Sequence, residues 1–294
     1  MSKQVELLSK GYQFGLTEGP QWNERERRLY FIDATHNTVN YWQQADNSIT
    51  TVQAEEMVTA LAFAVDDSYV VGVTPHGAQL FDLVGGNLSN LLDPEAGIVD
   101  NRFNDGKVGP DGNFWAGTIS AKRTPTAALY CFYDDQRVEL KVSGVHNSNG
   151  LGWSPDGKTF YHTDTTLLQV FAYDFDVATS TISNQRVCVD FNGLDIGKPD
   201  GLCVDSQGHL WIGHWAGGQV SVWNPMTGEM LESIAVPAKN VTSCTFGGDD
   251  LQTLFITTAQ EDEQDVVGGQ IYCLKTQVKG LPMARLHDHW LTFK

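Results

Sequence analysis

The 294-residue chain is poor in positive charge and has no motif built on cysteine. Lysine and arginine number 19 against 36 aspartates and glutamates, which gives a formal net charge of −17. Nucleic acids and anionic membrane surfaces bind to basic patches, so we expect neither as a partner. The five cysteines are scattered and form no CxxC pair. That pattern argues against a disulfide scaffold or a cysteine-ligated zinc ion and favours a reducing compartment.

Long apolar runs and nucleotide-binding motifs are also missing. No stretch approaches the roughly 18 apolar residues of a membrane span. The start, MSKQVELLSKGYQF, lacks the apolar centre of a secretory signal, so we expect a cytoplasmic protein. There is no GxGxxG, P-loop or GxSxG, so neither a nucleotide cofactor nor an α/β-hydrolase esterase is expected. The sequence carries no indication of oligomeric state.

Short strand-like runs dominate the chain, and helical periodicity is almost absent. Six of these runs each follow a polar turn and recur every 40 to 50 residues: RLYFID, SYVVGVT, NFWAGT, TFYHTD, HLWIGHW and TLFITTA. Six copies at this period are typical of a β-propeller with four-stranded blades. We therefore predict an all-β, six-bladed propeller that occupies residues 1–294 as a single domain. VELLS near the start and MARLHD near the end are expected to pair and close the ring.

A polar residue lies about eight positions before the turn of each copy. The six segments that contain it are TEGPQW, TALAF, FNDGKV, SNGLGW, PDGLCV and TSCTF. Because the first strand of each propeller blade lines the central channel, equivalent positions converge on the axis. The residues expected to meet at one mouth are Glu18, Asn104, Asn149 and Asp200, with Thr59 and Thr242 nearby. Asp105 lies one position off this register, and the pattern leaves its role open.

Carboxylates that are held close together repel each other, and a divalent cation removes that repulsion. Carboxylate and amide oxygens suit Ca²⁺, Mg²⁺ or Mn²⁺, and zinc also accepts carboxylates. Taken singly, Glu18, SNG and PDG each fit an ordinary loop or turn. Their shared register across the repeats favours a central metal-binding channel. His162 and His214 lie in predicted strands, where a structural role is favoured.

Five stretches in order give the chain a family resemblance. They are EGPQWNERERRLYFID, RFNDGKVGPDGNFWAGT, SNGLGWSPDGKTFYHTD, PDGLCVDSQGHLWIGHWAGGQV and TSCTFGGDDLQTLFITTA. Over residues 16–260 the chain resembles the senescence-marker/gluconolactonase/regucalcin family of sugar lactonases. The resemblance implies a six-bladed propeller, the same fold that the repeat predicts.

The resemblance also implies roles for individual residues. Glu18, Asn149 and Asp200 match the family's ligands to a divalent metal, and Asp200 also matches its usual candidate for general base. Arg102 and Asn104 match its substrate-contacting pair. One departure concerns substrate choice: where the best-known animal members carry an acidic residue that contacts the sugar, this chain has ISAKR, ending at Arg123. The resemblance therefore does not identify the lactone.

The function expected from these observations is divalent-metal-dependent hydrolysis of a sugar lactone to the sugar acid. The metal would act as a Lewis acid and Asp200 as general base. Arg102 would bind substrate, although an ion pair with Asp100 is an alternative for it. Two rival functions stay open. One is a phosphotriesterase-like metal hydrolase, and the other is a non-enzymatic calcium-binding regulator or interaction platform.

Overall fold

The structure is a computed structural model that describes residues 4–64 and 69–287. These residues contain no helix, and hence none that could span a membrane. The strands in chain order are β1 Glu6–Leu7, β2 Thr17–Asn23, β3 Arg28–Asp33, β4 Thr38–Gln43, β5 Ile49–Gln53, β6 Ala60–Phe63, β7 Tyr69–Thr74, β8 Gly77–Asp82, β9 Leu88–Leu92, β10 Asn101–Val108, β11 Phe114–Ser120, β12 Ala127–Phe132, β13 Val138–Val145, β14 Ser148–Trp153, β15 Thr159–Asp164, β16 Gln169–Asp176, β17 Thr181–Asp190, β18 Lys198–Val204, β19 Leu210–Trp215, β20 Gln219–Asn224, β21 Glu229–Ala235, β22 Asn240–Gly247, β23 Thr253–Ala259 and β24 Ile271–Lys275.

The strands form six antiparallel four-stranded sheets, which confirms the predicted six-bladed propeller. Blades 1 to 5 are each built from four consecutive strands, beginning with β2, β6, β10, β14 and β18. Blade 6 contains β22, β23 and β24, and its outer strand is β1 from the start of the chain. Glu6 lies opposite Cys273 and Leu7 opposite Tyr272. The N-terminal segment therefore closes the ring.

The expected pairing of VELLS with MARLHD is wrong, because VELLS pairs with β24 and not with MARLHD. VELLS supplies β1, but residues 283–287 form no strand. This C-terminal segment instead crosses the end of the channel where the first strands finish. Arg285 donates to Asn23 Oδ1 at 2.7 Å, and the amide of Leu286 donates to the carbonyl of Phe63 at 2.8 Å. The segment thus covers an apolar cavity of about 280 Å³ at that end.

The hydrophobic core consists of six clusters, one between each pair of neighbouring blades. Alternate residues of a strand face opposite sides of its blade, so each middle strand contributes to two clusters. In blade 1, Leu29 and Phe31 pack toward blade 6, whereas Tyr30 and Ile32 pack toward blade 2. This explains why these strands read as continuous apolar runs rather than as alternating ones, since both faces are buried.

A buried aspartate organises the turn before the second strand of blade 5. Asp205 accepts hydrogen bonds from the amides of Gln207 at 2.8 Å and His209 at 3.0 Å, and from the indole Nε1 of Trp211 at 2.9 Å. The equivalent turn of blade 4 has Asp156 at the surface, where it bonds only to its own turn in the described chain. The polar turn that recurs in the sequence is therefore anchored to the core in some blades and solvent-exposed in others.

We predict that Asp205→Ala lowers the free energy of unfolding by about 3 kcal/mol, because it leaves a buried indole N–H and two amides without acceptors. Asp156→Ala, the matched control, should cost less than about 1 kcal/mol, since water replaces its contacts. Urea unfolding followed by tryptophan fluorescence measures both. Equal losses for the two variants would contradict the anchoring role of Asp205.

Candidate metal and substrate site

A cavity lined by charged and amide side chains lies at the mouth of the channel where the first strands of the blades begin. Its volume is about 520 Å³. The five residues to which the family resemblance assigns a role line it together: Glu18, Arg102, Asn104, Asn149 and Asp200. Asp105, Thr59 and Trp215 line it as well. Thr242 does not, because its hydroxyl turns into the wall and donates to the carbonyl of Thr17 at 2.6 Å.

Irregular strands bring these side chains to the axis. In five of the six first strands the register shifts at or next to the polar position; the exception is β6. Such a bulge redirects side chains out of the ladder. Glycine follows the polar residue at positions where the backbone has a positive φ or where another chain segment leaves no room for a Cβ. Gly19 has φ +54°, and a Cβ on Gly150 would lie 2.7 Å from the carbonyl oxygen of Asp200.

Glu18 and Asp200 form a pair of like charges in the pocket, where Asp200 is buried and Glu18 is half-buried. Burial raises the pKa of Glu18 well above its ordinary value, and the charges of Asp200 and Asp105 raise it further. Burial also raises the pKa of Asp200 well above its ordinary value, with Asp105 adding to the effect. Without a cation, ionisation of both groups is therefore costly, and the site tends to hold a proton.

Amide groups tie the site across three blades. Asn104 Nδ2 donates to Asn149 Oδ1 at 3.0 Å and to the carbonyl of Ser148 at 2.9 Å. Asn149 Nδ2 donates to Thr165 Oγ1 at 2.9 Å, and Thr165 Oγ1 donates to the carbonyl of Pro199 at 2.7 Å. These bonds orient the amide oxygen of Asn149 toward Asn104 and fix the position of the strand that carries Asp200.

Arg102 faces the pocket rather than a surface acid. Its Nη1 donates to the carbonyl of Phe103 at 2.8 Å and to Asn104 Oδ1 at 3.2 Å. Asp100, the alternative partner, instead pairs with Lys122 at 2.6 Å. Burial, followed by the charge of Arg123, lowers the pKa of Arg102. The alternative in which Arg102 forms an ion pair with Asp100 is therefore wrong.

Both histidines lie inside blades and not on the pocket wall. His162 Nε2 is 2.8 Å from Ser148 Oγ, and His214 Nε2 is 2.5 Å from Ser221 Oγ. Desolvation lowers the pKa of each to about 4, so both are neutral near pH 7. These positions agree with the structural role favoured for them.

Asp105 is the pocket residue that the sequence pattern left undecided. The bulge in β10 lies between Phe103 and Gly106, so neither Asn104 nor Asp105 has a partner in the ladder. Both side chains consequently reach the pocket, although they are adjacent in sequence. Burial raises the pKa of Asp105, and the charge of Lys107 partly opposes that shift. An Asn-Asp-Gly triplet inside a strand is the signal that could have indicated the bulge.

The donor set fits a divalent metal that prefers oxygen ligands. Glu18 and Asp200 supply two carboxylates whose repulsion a cation relieves, and Asn149 supplies an amide oxygen. Over residues 4–64 and 69–287, no three His, Cys, Asp or Glu side chains lie close enough to form a metal cluster by themselves. A site here therefore depends on the amide as well as on the carboxylates.

The six-bladed propeller and its acidic and amide-rich axial pocket place the chain among propellers with a polar site on the central axis. Comparison with known sequences identifies the family. Residues 16–260 match the SMP-30/gluconolactonase/LRE-like region, so the chain belongs to that family. Regucalcin of Danio rerio is 36% identical over 245 residues, which is 82% of either chain. The family resemblance seen in the sequence is confirmed.

Two solved structures share the fold over nearly the whole chain. A luciferin-regenerating enzyme superposes with a TM-score of 0.91 at 27% identity, covering 97% of this chain and 100% of the other. A calcium-binding protein, regucalcin, from Agrobacterium tumefaciens gives a TM-score of 0.89 at 26% identity, with 97% and 99% covered. The propeller architecture is thus common to relatives with different names.

We predict that Ca²⁺ added to chelator-treated protein raises Tm more at pH 8 than at pH 5. Because the raised pKa values mean that the native state binds more protons than the unfolded one, metal-free stability falls as pH rises from about 4 through those raised values. A cation that replaces the protons restores this loss. Glu18→Gln should remove most of the Ca²⁺-dependent rise, which differential scanning fluorimetry across pH measures.

Asp105→Asn is the matched control, since Asp105 lines the same pocket but is not among the predicted ligands. It should keep most of the rise in Tm. An undiminished rise in Glu18→Gln would exclude Glu18 as a ligand. A loss in Asp105→Asn as large as that in Glu18→Gln would place Asp105 in the ligand set.

Proposed function

We propose that the protein hydrolyses a sugar lactone to the sugar acid and that a divalent metal is required. The observation that carries the proposal is the meeting of Glu18, Asn149 and Asp200 with Arg102 and Asn104 in one axial pocket. Membership of the SMP-30/gluconolactonase/LRE-like family supports it.

Glu18, Asn149 and Asp200 would hold the metal, since they supply oxygen donors to one pocket from blades 1, 4 and 5. When bound, the cation polarises the lactone carbonyl and stabilises the negative charge that develops on its oxygen. The names of two relatives, regucalcin and a calcium-binding protein, favour calcium. Mg²⁺, Mn²⁺ and Zn²⁺ also accept carboxylate ligands, so the experiment below includes all four.

Asp200 would remove a proton from the water that attacks the carbonyl carbon. Asp200 is 5% exposed and lines the pocket. Arg102 and Asn104 would orient the substrate through hydrogen bonds to its hydroxyl groups. Asn104 keeps its Oδ1 near Arg102, and the pair is held to blade 4 through Ser148 and Asn149.

The two rival functions make different demands on this pocket. A phosphotriesterase-like hydrolase acts on a neutral ester and needs no charged groups beyond the metal ligands, whereas Arg102, Arg123 and Lys198 all line this cavity. A calcium-binding regulator needs the metal ligands but has no use for Arg102 and Asn104. The cationic and amide groups therefore favour a polar small-molecule substrate.

A pH-indicator assay tests the function directly. Chelator-stripped protein is re-supplied separately with Ca²⁺, Mg²⁺, Mn²⁺ or Zn²⁺ and given a panel of aldono-1,4- and aldono-1,5-lactones, with spontaneous opening subtracted. Metal-dependent turnover of any lactone is the expected result. Turnover of paraoxon-like esters alone would favour the phosphotriesterase function. Metal binding with no turnover of either class would favour the regulator.

We predict that Asp200→Asn, measured at saturating metal, lowers kcat by about 10²- to 10⁴-fold, because it removes the general base. The acidic limb of the pH–rate profile, where activity falls as Asp200 takes up a proton, should disappear in this variant. Isothermal titration of the metal separates the base role from the ligand role. Full activity in Asp200→Asn with an unchanged acidic limb would exclude Asp200 from catalysis.

A further inference from the structure

The loop that joins β11 to β12 carries two cationic side chains: Arg123 lies in the wall of the pocket, and Lys122 lies outside it. The amide of Ala121 donates to the carbonyl of Asp100 at 2.7 Å, and the amide of Arg123 donates to the carbonyl of Ser120 at 2.9 Å. Arg123 has φ +55° at this tight turn. Its side chain lines the axial cavity, whereas the ammonium of Lys122 is paired with Asp100 at 2.6 Å outside it.

Arg123 has no carboxylate partner within ion-pair distance among the residues that the structure describes. Its charge nevertheless reaches both sides of the site. It contributes to the lowered pKa of Arg102 and partly opposes the rise in the pKa of Asp200. The guanidinium of Arg123 therefore lies near Arg102 and Asp200 without an ion pair to a carboxylate of the described residues.

When its three carboxylates are ionised, the charges that line the metal-free pocket sum to zero. Three carboxylates, Glu18, Asp105 and Asp200, face three cations, Arg102, Arg123 and Lys198. A divalent cation on the carboxylates would leave an excess of two positive charges. A neutral lactone would leave that excess uncompensated, and Arg102 is already largely desolvated.

We propose that the substrate is a sugar lactone with a fixed negative charge away from the lactone ring, which binds between Arg102 and Arg123. The inference rests on the proposed lactonase function and defines its substrate class. A guanidinium fork matches the oxygens of either a carboxylate or a phosphate in a two-point contact. The anionic group is thus that of an aldaric acid lactone or of a phosphorylated sugar lactone.

The test compares matched substrates on the metal-supplied protein. Galactaro-1,4-lactone is set against galactono-1,4-lactone, and 6-phosphogluconolactone against gluconolactone. The charged member of at least one pair should have a kcat/KM about 10- to 100-fold higher, as expected for a charge-assisted contact. This preference should fall with added salt, because Arg123 lies at the exposed rim of the pocket. Preference in the first pair alone identifies a carboxylate, and in the second alone a phosphate.

Arg123→Gln should reduce the charged-to-neutral ratio of kcat/KM by about tenfold or more, whereas Arg123→Lys should keep much of it. Lys122→Gln is the matched control, because Lys122 is a neighbouring cation that points away from the pocket. It should leave the ratio unchanged. Equal kcat/KM for charged and neutral lactones in the wild type, or an equal loss for both in Arg123→Gln, would overturn the inference.

Absence of turnover on every lactone would refute the proposed function separately. In that case calorimetry on the metal-supplied protein compares D-glucarate and 6-phosphogluconate with D-gluconate. Tighter binding of either of the first two, lost in Arg123→Gln, would support an anion site in this pocket. Equal binding of all three would overturn the inference.

Discussion

Closure of the ring is the constraint on which the rest of the structure depends. The pairing of Glu6–Leu7 with β24 joins the first segment of the chain to the last blade. Only in a closed ring do the starts of the first strands meet at one axis, although they are far apart in sequence. Six apolar clusters between neighbouring blades stabilise that arrangement, and each is filled by residues from both of its blades. The site on the axis thus depends on the packing between blades and on the pairing of β1 with β24.

The axial position also carries an electrostatic cost. Asp200 is buried, and its charge and those of the half-buried Glu18 and Asp105 repel one another. Glu18 and Asp200 would each ionise more readily in the unfolded chain. A structural pair of this kind would be replaced easily by apolar residues of similar size, since unpaired buried charge destabilises a fold. Its presence supports the proposal that the pocket binds a cation. The aromatic contacts of the blades, such as Trp115 against Trp153 and Phe160, offset the cost elsewhere.

The sequence predicts the blade count and the convergence of the axial residues because both follow from a period. Each copy repeats the same turn and strand, so equivalent positions can be aligned without knowledge of the fold. Ring closure was predicted only in part, since strand pairing between distant segments depends on geometry that the repeat does not contain. Asp105 was left undecided for a related reason: simple alternation places it away from the channel, and only the bulge in β10 turns it inward. That the whole chain forms a single domain stays a prediction.

In the proposed function, catalysis depends on the first strands of the blades and substrate choice on a loop at the rim. Glu18, Asn149 and Asp200 lie on first strands, where the bulges and the packed blades hold them in place. Arg123 lies on a hairpin loop at the rim, held by its own turn and by few other contacts. A change at the rim therefore costs the ring little, whereas a change on a first strand disturbs the axis. Relatives that share this fold bear the names of a calcium-binding protein and of a luciferin-regenerating enzyme, so the fold alone does not decide the substrate.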